Sequence, residues 1–503
     1  MSADRLRWAG LAVLCTSLLV VVMDMTILSL AMPAISADLR PGAVELLWMV
    51  DVYALVLAGL LVTASALGDR WGRRRMLVAG FATFGLASMA VLVVDSPAGV
   101  IAVRALLGVG GAMIMPSTLS MVRTMFTDPR ERATALGCWG ATAAVGTALG
   151  PIIGGALLEA FSWHSAFLVN VPVMAVAIVA ALLLLPESRS ERPGTLDPVA
   201  TVLSVLGMVA LVYAVKHTGE HGPTGEGALA AVVAVVGLVL FVRRCLAQPN
   251  PVLEVRLFRE RSFSAGVITA LCTSIASIAA LLLLSQWLQL VRGWSPLESG
   301  FALLPMAVAG VLCSLLAPGL ADRIGARPVL AGGLAVGGIG FLLVFLLPEP
   351  LSYAGVAASL VLVGAGSGSL AVASAAIMSG APADKAGSAA AIEESSYEIG
   401  GVLGVAVLGS LAGAIYRADL PVSDLTAAGL DAASGDVARD SLGGALEIAE
   451  LAGPGGSALA TQATEAFTHS LTGAGLAGGL VMLAAAALVW WIAPRDLDVS
   501  AGH

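Results

Sequence analysis

The sequence is poor in charge. Only 12% of its 503 residues are Asp, Glu, Lys or Arg, 58% are hydrophobic and the mean hydropathy is +0.93, which excludes a soluble globular chain and a disordered one. Lysine is nearly missing: neither Lys216 nor Lys385 sits in a Gly-x4-Gly-Lys-Ser/Thr loop, and no polar stretch is long enough for a nucleotide domain, which disfavours an ATP-driven pump. Cysteine and histidine are scarce too, at five each. Cys15, Cys138, Cys272 and Cys313 lie inside apolar runs and Cys245 near the end of one, with no close pair, which leaves no disulfide framework and no zinc spacing. The histidines are scattered, no HExxH occurs and no Gly-x-Ser-x-Gly elbow follows a strand, so no enzyme site, metal or cofactor is expected. The net charge of -8 says little about partners, because the sidedness of charged loops matters more than their sum, and it offers nothing to nucleic acid.

What is present is long hydrophobic runs. A hydrocarbon core of about 30 Å needs about 20 helical residues, and runs of that length recur fourteen times between residues 9 and 493. Met1 to Ala31 imitates a secretory leader, with Arg5 and Arg7 ahead of an apolar run, but the run is too long and carries Asp24; it reads as a retained first span. Placing the N-terminus inside puts 20 of the 26 Lys and Arg residues on the cytoplasmic side, and an even number of spans returns the C-terminus there. Trp8, Trp48, Trp71, Trp163, Trp294, Trp490 and Trp491 fall near span ends, where an interfacial belt is expected.

The loop Leu67-Gly68-Asp69-Arg70-Trp71-Gly72-Arg73 has a degenerate copy at Ala321-Asp322-Arg323-Ile324-Gly325-Ala326, and the same offset brings Gly80 onto Gly333 and Gly85 onto Gly338. The chain therefore divides into an N-terminal six-helix half (1–190), two inserted helices (191–262) and a C-terminal six-helix half (263–503): an all-α polytopic membrane protein of 14 transmembrane helices arranged 6+2+6. The polar stretch 417–467, with Asp424, Asp431, Asp436, Asp440, Glu447 and Glu450, lies outside as a solvated linker or as short helices over the exit.

Ionisable residues inside spans are candidates for function, because each costs about 2.5–3.5 kcal/mol to insert. Six qualify, as candidates for proton and substrate coupling: Asp24, Asp51, Arg104, Glu393, Glu394 and Glu398. Counting 1.5 Å per residue puts Asp24 and Arg104 in the outer half at similar depth, which predicts a pair, with Asp51 nearer the interface. Glu394 and Glu398, spaced i,i+4, share a helix face, with Glu398 near the midplane, and suit a proton carrier; the alternative for Glu393 and Glu394, nearer the inner end, is snorkelling to the inner edge. In the fifth run Gly146, Gly150 and Gly154 form a small-residue ridge with Pro151 after the middle glycine, predicting close helix contact and a bend. Trp139, Trp287, Phe301, Met113, Met115 and Met306 are candidate apolar lining.

These pieces resemble the 14-span drug:proton antiporters of the major facilitator superfamily. The resemblance rests on Met23-Asp24-Met25-Thr26, Trp48-Met49-Val50-Asp51-Val52-Tyr53, the Gly68 to Arg75 loop, Arg104 to Gly110, the Gly146 to Gly155 signature, Trp163 to Pro172, and Glu393 to Gly401. Ser65 stands where the family's loop motif usually leads with Gly, and the tenth span lacks an acid that some relatives use for dications. The resemblance implies a proton-coupled exporter of amphiphilic or cationic drugs in the cytoplasmic membrane, monomeric, with protons and lipid as its other partners. One antibiotic such as puromycin, or a broad range, remains open as the cargo; a proton-coupled importer of a small metabolite is the alternative. Gly68, Asp69, Arg70, Gly72, Arg73, Asp322 and Arg323 would then be conformational motifs.

Overall fold

The computed structural model describes residues 3–41, 43–190, 197–222, 224–348, 350–420, 432–452 and 456–495, and they are helical almost throughout. The first half contains α1 (Ala3–Leu39), α2 (Ala43–Trp71), α3 (Arg73–Ala90), α4 (Pro97–Met125), α5 (Pro129–Ala160) and α6 (Asn170–Leu184). Two helices follow, α7 (Pro198–His221) and α8 (Gly225–Ala247). The second half contains α9 (Arg261–Gln286), α10 (Pro296–Ile324), α11 (Ala326–Leu346), α12 (Tyr353–Ser367) with α13 (Leu370–Ser379), and α14 (Ala386–Leu403) with α15 (Gly409–Asp419). Two short helices, α16 (Ala432–Asp440) and α17 (Leu442–Leu451), precede α18 (Ser457–Ile492).

Helix starts follow local chemistry. Ser96, Asp197, Thr224, Ser295 and Ser352 are N-caps whose side chains accept from the first turn, and Pro97, Pro198 and Pro296 follow three of them. At α10, Ser295 and Glu298 form a reciprocal capping box. Asp197 also ties α7 to α8, because Arg244 pairs with it and Gln248 donates to it. The Arg244 bond, more than the backbone and Gln248 bonds, holds the Asp197 carboxyl down to about 2. This tie is fully formed above the ordinary carboxylate range and lost as pH falls through about 2.

Among the described residues, twelve helices are long and apolar enough to cross a membrane. The fifth and thirteenth of the fourteen runs expected from sequence, on α5 and on α14 with α15, are not among those twelve; α14 passes into α15 through a π turn at Gly404–Leu408. The last helix begins at Ser457, earlier than the expected 470. Helices α16 and α17 pack against α15 and α18, with Tyr416 Oη donating to Ala438 O at 2.9 Å. Asp424 and Asp431 lie outside the described residues. Trp8, Trp48, Trp71, Trp490 and Trp491 are exposed as anchors, but Trp163 is buried, its indole N–H on Asp38 at 2.8 Å.

The two loop copies share one backbone device: Gly72 and Gly325 have φ of 119° and 90°, where a side chain is strained. Their flanks correspond as well. Gly80 faces Gly110 O and Gly85 faces Met174, while Gly333 faces Gly366 O and Gly338 faces Met482. Thus α3 lies on α4 and α6 as α11 lies on α12 and α18. The halves meet through α2 and α4 against α14, and through α5 against α10 and α13. Both ends of the described chain lie at the arginine-rich end: Arg7 pairs with Glu131 at 3.1 Å, and the Arg327 guanidinium stacks 4.6 Å over Trp490.

Candidate functional site

A cavity of about 390 Å³ lies between the halves, walled by residues of α1, α2, α4, α5, α9, α10, α12, α13 and α14. Its charged lining residues are Glu394 and Glu398, one turn apart on α14. Trp139, Tyr397, Met25, Met115 and Met306 supply aromatic and thioether surface. Of the expected apolar lining, Trp139, Met115 and Met306 are in place. Trp287 is instead buried and Phe301 exposed, and Met113 packs between α2 and α3; in helices this uniformly apolar, sequence alone does not tell which face turns inward.

Helix α14 is set by glycine. Added methyl groups at Gly400 and Gly404 would lie 2.6 Å from Leu271 O and 2.5 Å from Ile275 O, so these two positions let α14 lie directly on the α9 backbone. That contact turns Glu394 and Glu398 toward the cavity. Glu394 is 0% exposed, and among the described residues neither of its carboxylate oxygens meets a donor. Glu393 faces away from the cavity, and it is fully buried rather than snorkelling to an edge. Its Oε1 accepts from Ser374 Oγ and, at 2.7 Å, from Tyr397 Oη.

Asp24 lies outside the cavity lining, in a closed polar cluster that joins five helices. Its Oδ2 accepts from Arg104 Nη1 at 3.0 Å and its Oδ1 from Asn170 Nδ2 at 2.8 Å, both side chains of the ion pair being 3% exposed. Arg104 Nε also donates to Met49 O at 3.2 Å, and its guanidinium stacks 4.5 Å over the Tyr53 ring. Asn170 reaches Ser88 Oγ at 3.3 Å. The pair expected from depth is therefore present, but the acids lie in separate places: Asp24 is sequestered from the cavity, whereas Glu394 lines it. Asn170 and Tyr53 were missed as partners; a lone amide in the apolar run 163–185 was the available signal for the first. Asp51 lies on α2 with its side chain outside the described residues.

The glycine ridge of α5 lies on α1 beside this cluster. A methyl group at Gly146 would be 3.1 Å from Val22 Cβ, and one at Gly150 would overlap Thr26 Oγ1 and sit 3.2 Å from Met23 O, so the ridge brackets Asp24. Gly154 is buried on the same helix, and the side chain of Pro151 is outside the described residues.

At the arginine-rich end the loop motif grips the start of α14. Arg73 pairs with Asp69, and both crowd Gly387; Gly68 approaches the Arg73 guanidinium closely. Ser65 Oγ donates to Gly387 O at 2.7 Å, a bond glycine could not make. Arg123 donates to Ala381 O at 2.7 Å and Ser190 to Asp384 O at 3.0 Å, which closes the halves together there. Arg70 is exposed. In the second copy Ala326 occupies the position of Arg73, and Asp322 and Arg323 are exposed.

Known proteins are similar to this chain in sequence and in fold. The chain is 40% identical over 484 residues to the multidrug efflux pump LfrA of Mycolicibacterium smegmatis, covering 96% of this chain and 95% of that protein. It is 35% identical to the methyl viologen resistance protein SmvA of Salmonella typhimurium, covering 96% and 98%. Among solved structures, a bacterial homolog of the human lysosomal transporter Spinster, in an inward-facing and unoccupied conformation, superposes with a TM-score of 0.59 at 17% identity over 97% of each chain. The sequence profile of the Major Facilitator Superfamily fits residues 14–405, and with its interlocked halves around a central cavity the chain belongs to that superfamily.

Proposed function

We propose that this transporter is a proton-coupled antiporter of the cytoplasmic membrane that exports amphiphilic, cationic drugs and so confers resistance. The observation that carries the reading is the cavity: two carboxylates on one helix face, no cationic lining residue, and a wall of Trp139, Tyr397 and methionines. Such a site favours a delocalised aromatic cation, and a carboxylate that lacks donors can exchange that cation for a proton. The names of LfrA and SmvA support export over import.

In this reading the chain crosses the membrane fourteen times, as 6+2+6, with halves 1–190 and 263–503 around the inserted 191–262. Support comes from α5 and α14 to α15, which are of span length and packed among qualifying helices, and from the matched contacts of α3 and α11. The arginine-rich end is cytoplasmic and carries both termini, by the excess of arginine there. Asp24 and Arg104 set α1 against α2 and α4 and take part in proton coupling, the Asp69–Arg73 loop biases which side is closed, and Glu393, Glu394 and Glu398 serve the exchange.

The test is transport in expressing cells and in everted vesicles. Drug should be kept out of cells and accumulate in vesicles; a protonophore should abolish both effects, whereas ATP depletion with the gradient clamped should not. Accumulation into cells instead would establish the importer. A panel holding a quaternary ammonium, a cationic dye, puromycin, methyl viologen and a neutral antibiotic separates narrow from broad specificity.

A further inference from the structure

Glu393 has no place in the cavity lining, yet the two groups that bond it do. Ser374, on α13, and Tyr397, one turn along α14, both line the cavity and both donate to Glu393 Oε1, and their hydroxyl oxygens lie 3.4 Å apart. The buried carboxylate is thus separated from the cavity by a layer one hydroxyl thick. Its second oxygen, Oε2, is buried and meets no donor among the described residues, so the group is held on one side only. A carboxylate that needed only to be kept charged in hydrocarbon would be expected to have both oxygens satisfied.

The layer is made of hydroxyls rather than of apolar side chains, and that choice has a chemical consequence. A hydroxyl donates one proton and accepts on its lone pairs, so it can take a proton on one side while releasing its own on the other. An alanine or phenylalanine in the same place would close the route. The Tyr397 ring also stands 6.5 Å from Trp139 at 32°, on the wall shared with Glu394 and Glu398, and its carbonyl is fixed by Ser274 Oγ at 2.7 Å. A cargo seated at those carboxylates therefore touches the ring whose hydroxyl holds Glu393.

We propose that Ser374 and Tyr397 form a hydroxyl gate through which Glu393 exchanges its proton with the cavity, under control of the cargo beside the Tyr397 ring. In the loading direction hydronium in the cavity passes a proton to the Tyr397 oxygen as the Tyr397 O–H proton passes to Glu393 Oε1. One O–H bond forms and one breaks at the tyrosine, which ends neutral; water is left behind and the carboxylate becomes a carboxylic acid. Discharge is the reverse. Ser374 offers the parallel route, so neither hydroxyl alone is indispensable. The inference rests on the reading of the chain as a proton-coupled exporter.

The experiment is single-turnover proton release in proteoliposomes at saturating cationic dye, with a pH indicator. Tyr397→Phe keeps the ring and removes the hydroxyl, and should slow release about tenfold; Ser374→Ala/Tyr397→Phe should slow it about a hundredfold, to the level of Glu393→Gln. In the Tyr397→Phe background Ser374→Thr, which restores a hydroxyl, should keep the faster rate; this comparison holds the gate falsifiable where the alanine double variant fails to fold. Release at the wild-type rate from the folded double variant, or equal rates for Thr and Ala at 374, overturns the gate. Wild-type protein that releases no proton on dye addition overturns the exporter reading instead.

Discussion

At the scale of single residues, Asp24 and Arg104 illustrate what burial demands. Neither charge is stable alone in hydrocarbon, and here each finds the other at 3.0 Å with Asn170 and Met49 O completing the set. Asp24→Asn leaves the guanidinium with no counter-charge and should cost about 3–5 kcal/mol, read as a lower thermal midpoint of the detergent-purified protein. Asp24→Asn/Arg104→Gln should recover most of that midpoint without recovering drug-evoked proton release. If the double variant transports normally, the pair is a structural tie and nothing more. Arg104→Lys should also weaken transport, because an ammonium cannot both reach Met49 O through a planar fork and stack on Tyr53.

At the scale of elements, glycine decides how closely helices lie. Without a hydrophobic driving force between helices in lipid, contact depends on van der Waals fit, and a single methyl group at Gly150 meets Thr26. Gly150→Leu should abolish efflux while leaving membrane insertion intact, as measured by surface-labelled protein. Gly150→Ala should impair efflux less, and Thr26→Ala should restore part of that loss by removing the clashing oxygen. Gly155→Ala, where nothing lies within 4 Å, is the neutral control. Full activity of Gly150→Leu would mean that the ridge is not a close-packing surface at all.

At the scale of the whole molecule, the segment 381–388 ties the halves together at the arginine-rich end through Arg123, Ser190 and Ser65. A buried hydrogen bond contributes about 1 kcal/mol net, a factor of about five between two conformations. Ser65→Ala should therefore shift the population toward the form open at that end. The shift is measurable as longer distances between spin labels at the exposed positions Arg70 and Arg323; an unchanged distance distribution would leave Ser65 without a part in closure.

Membrane class, the loop repeat and the identity of the buried acids were legible in the sequence. They rest on one-dimensional constraints: the length needed to cross hydrocarbon, the cost of a charge there, and a repeated Asp-Arg-x-Gly pattern. The Asp24–Arg104 pair was legible for the same reason, since depth along a helix is a count of residues. What only the tertiary structure decided is azimuth. It determined that Glu394 and Glu398 face the cavity while Glu393 turns toward Ser374 and Asp24 toward Asn170, and that Ser65 meets Gly387 from 322 residues away. A helix that is apolar on every side carries little record of which face is inward, so the rotation of each rod is set by where its glycines let a neighbour approach.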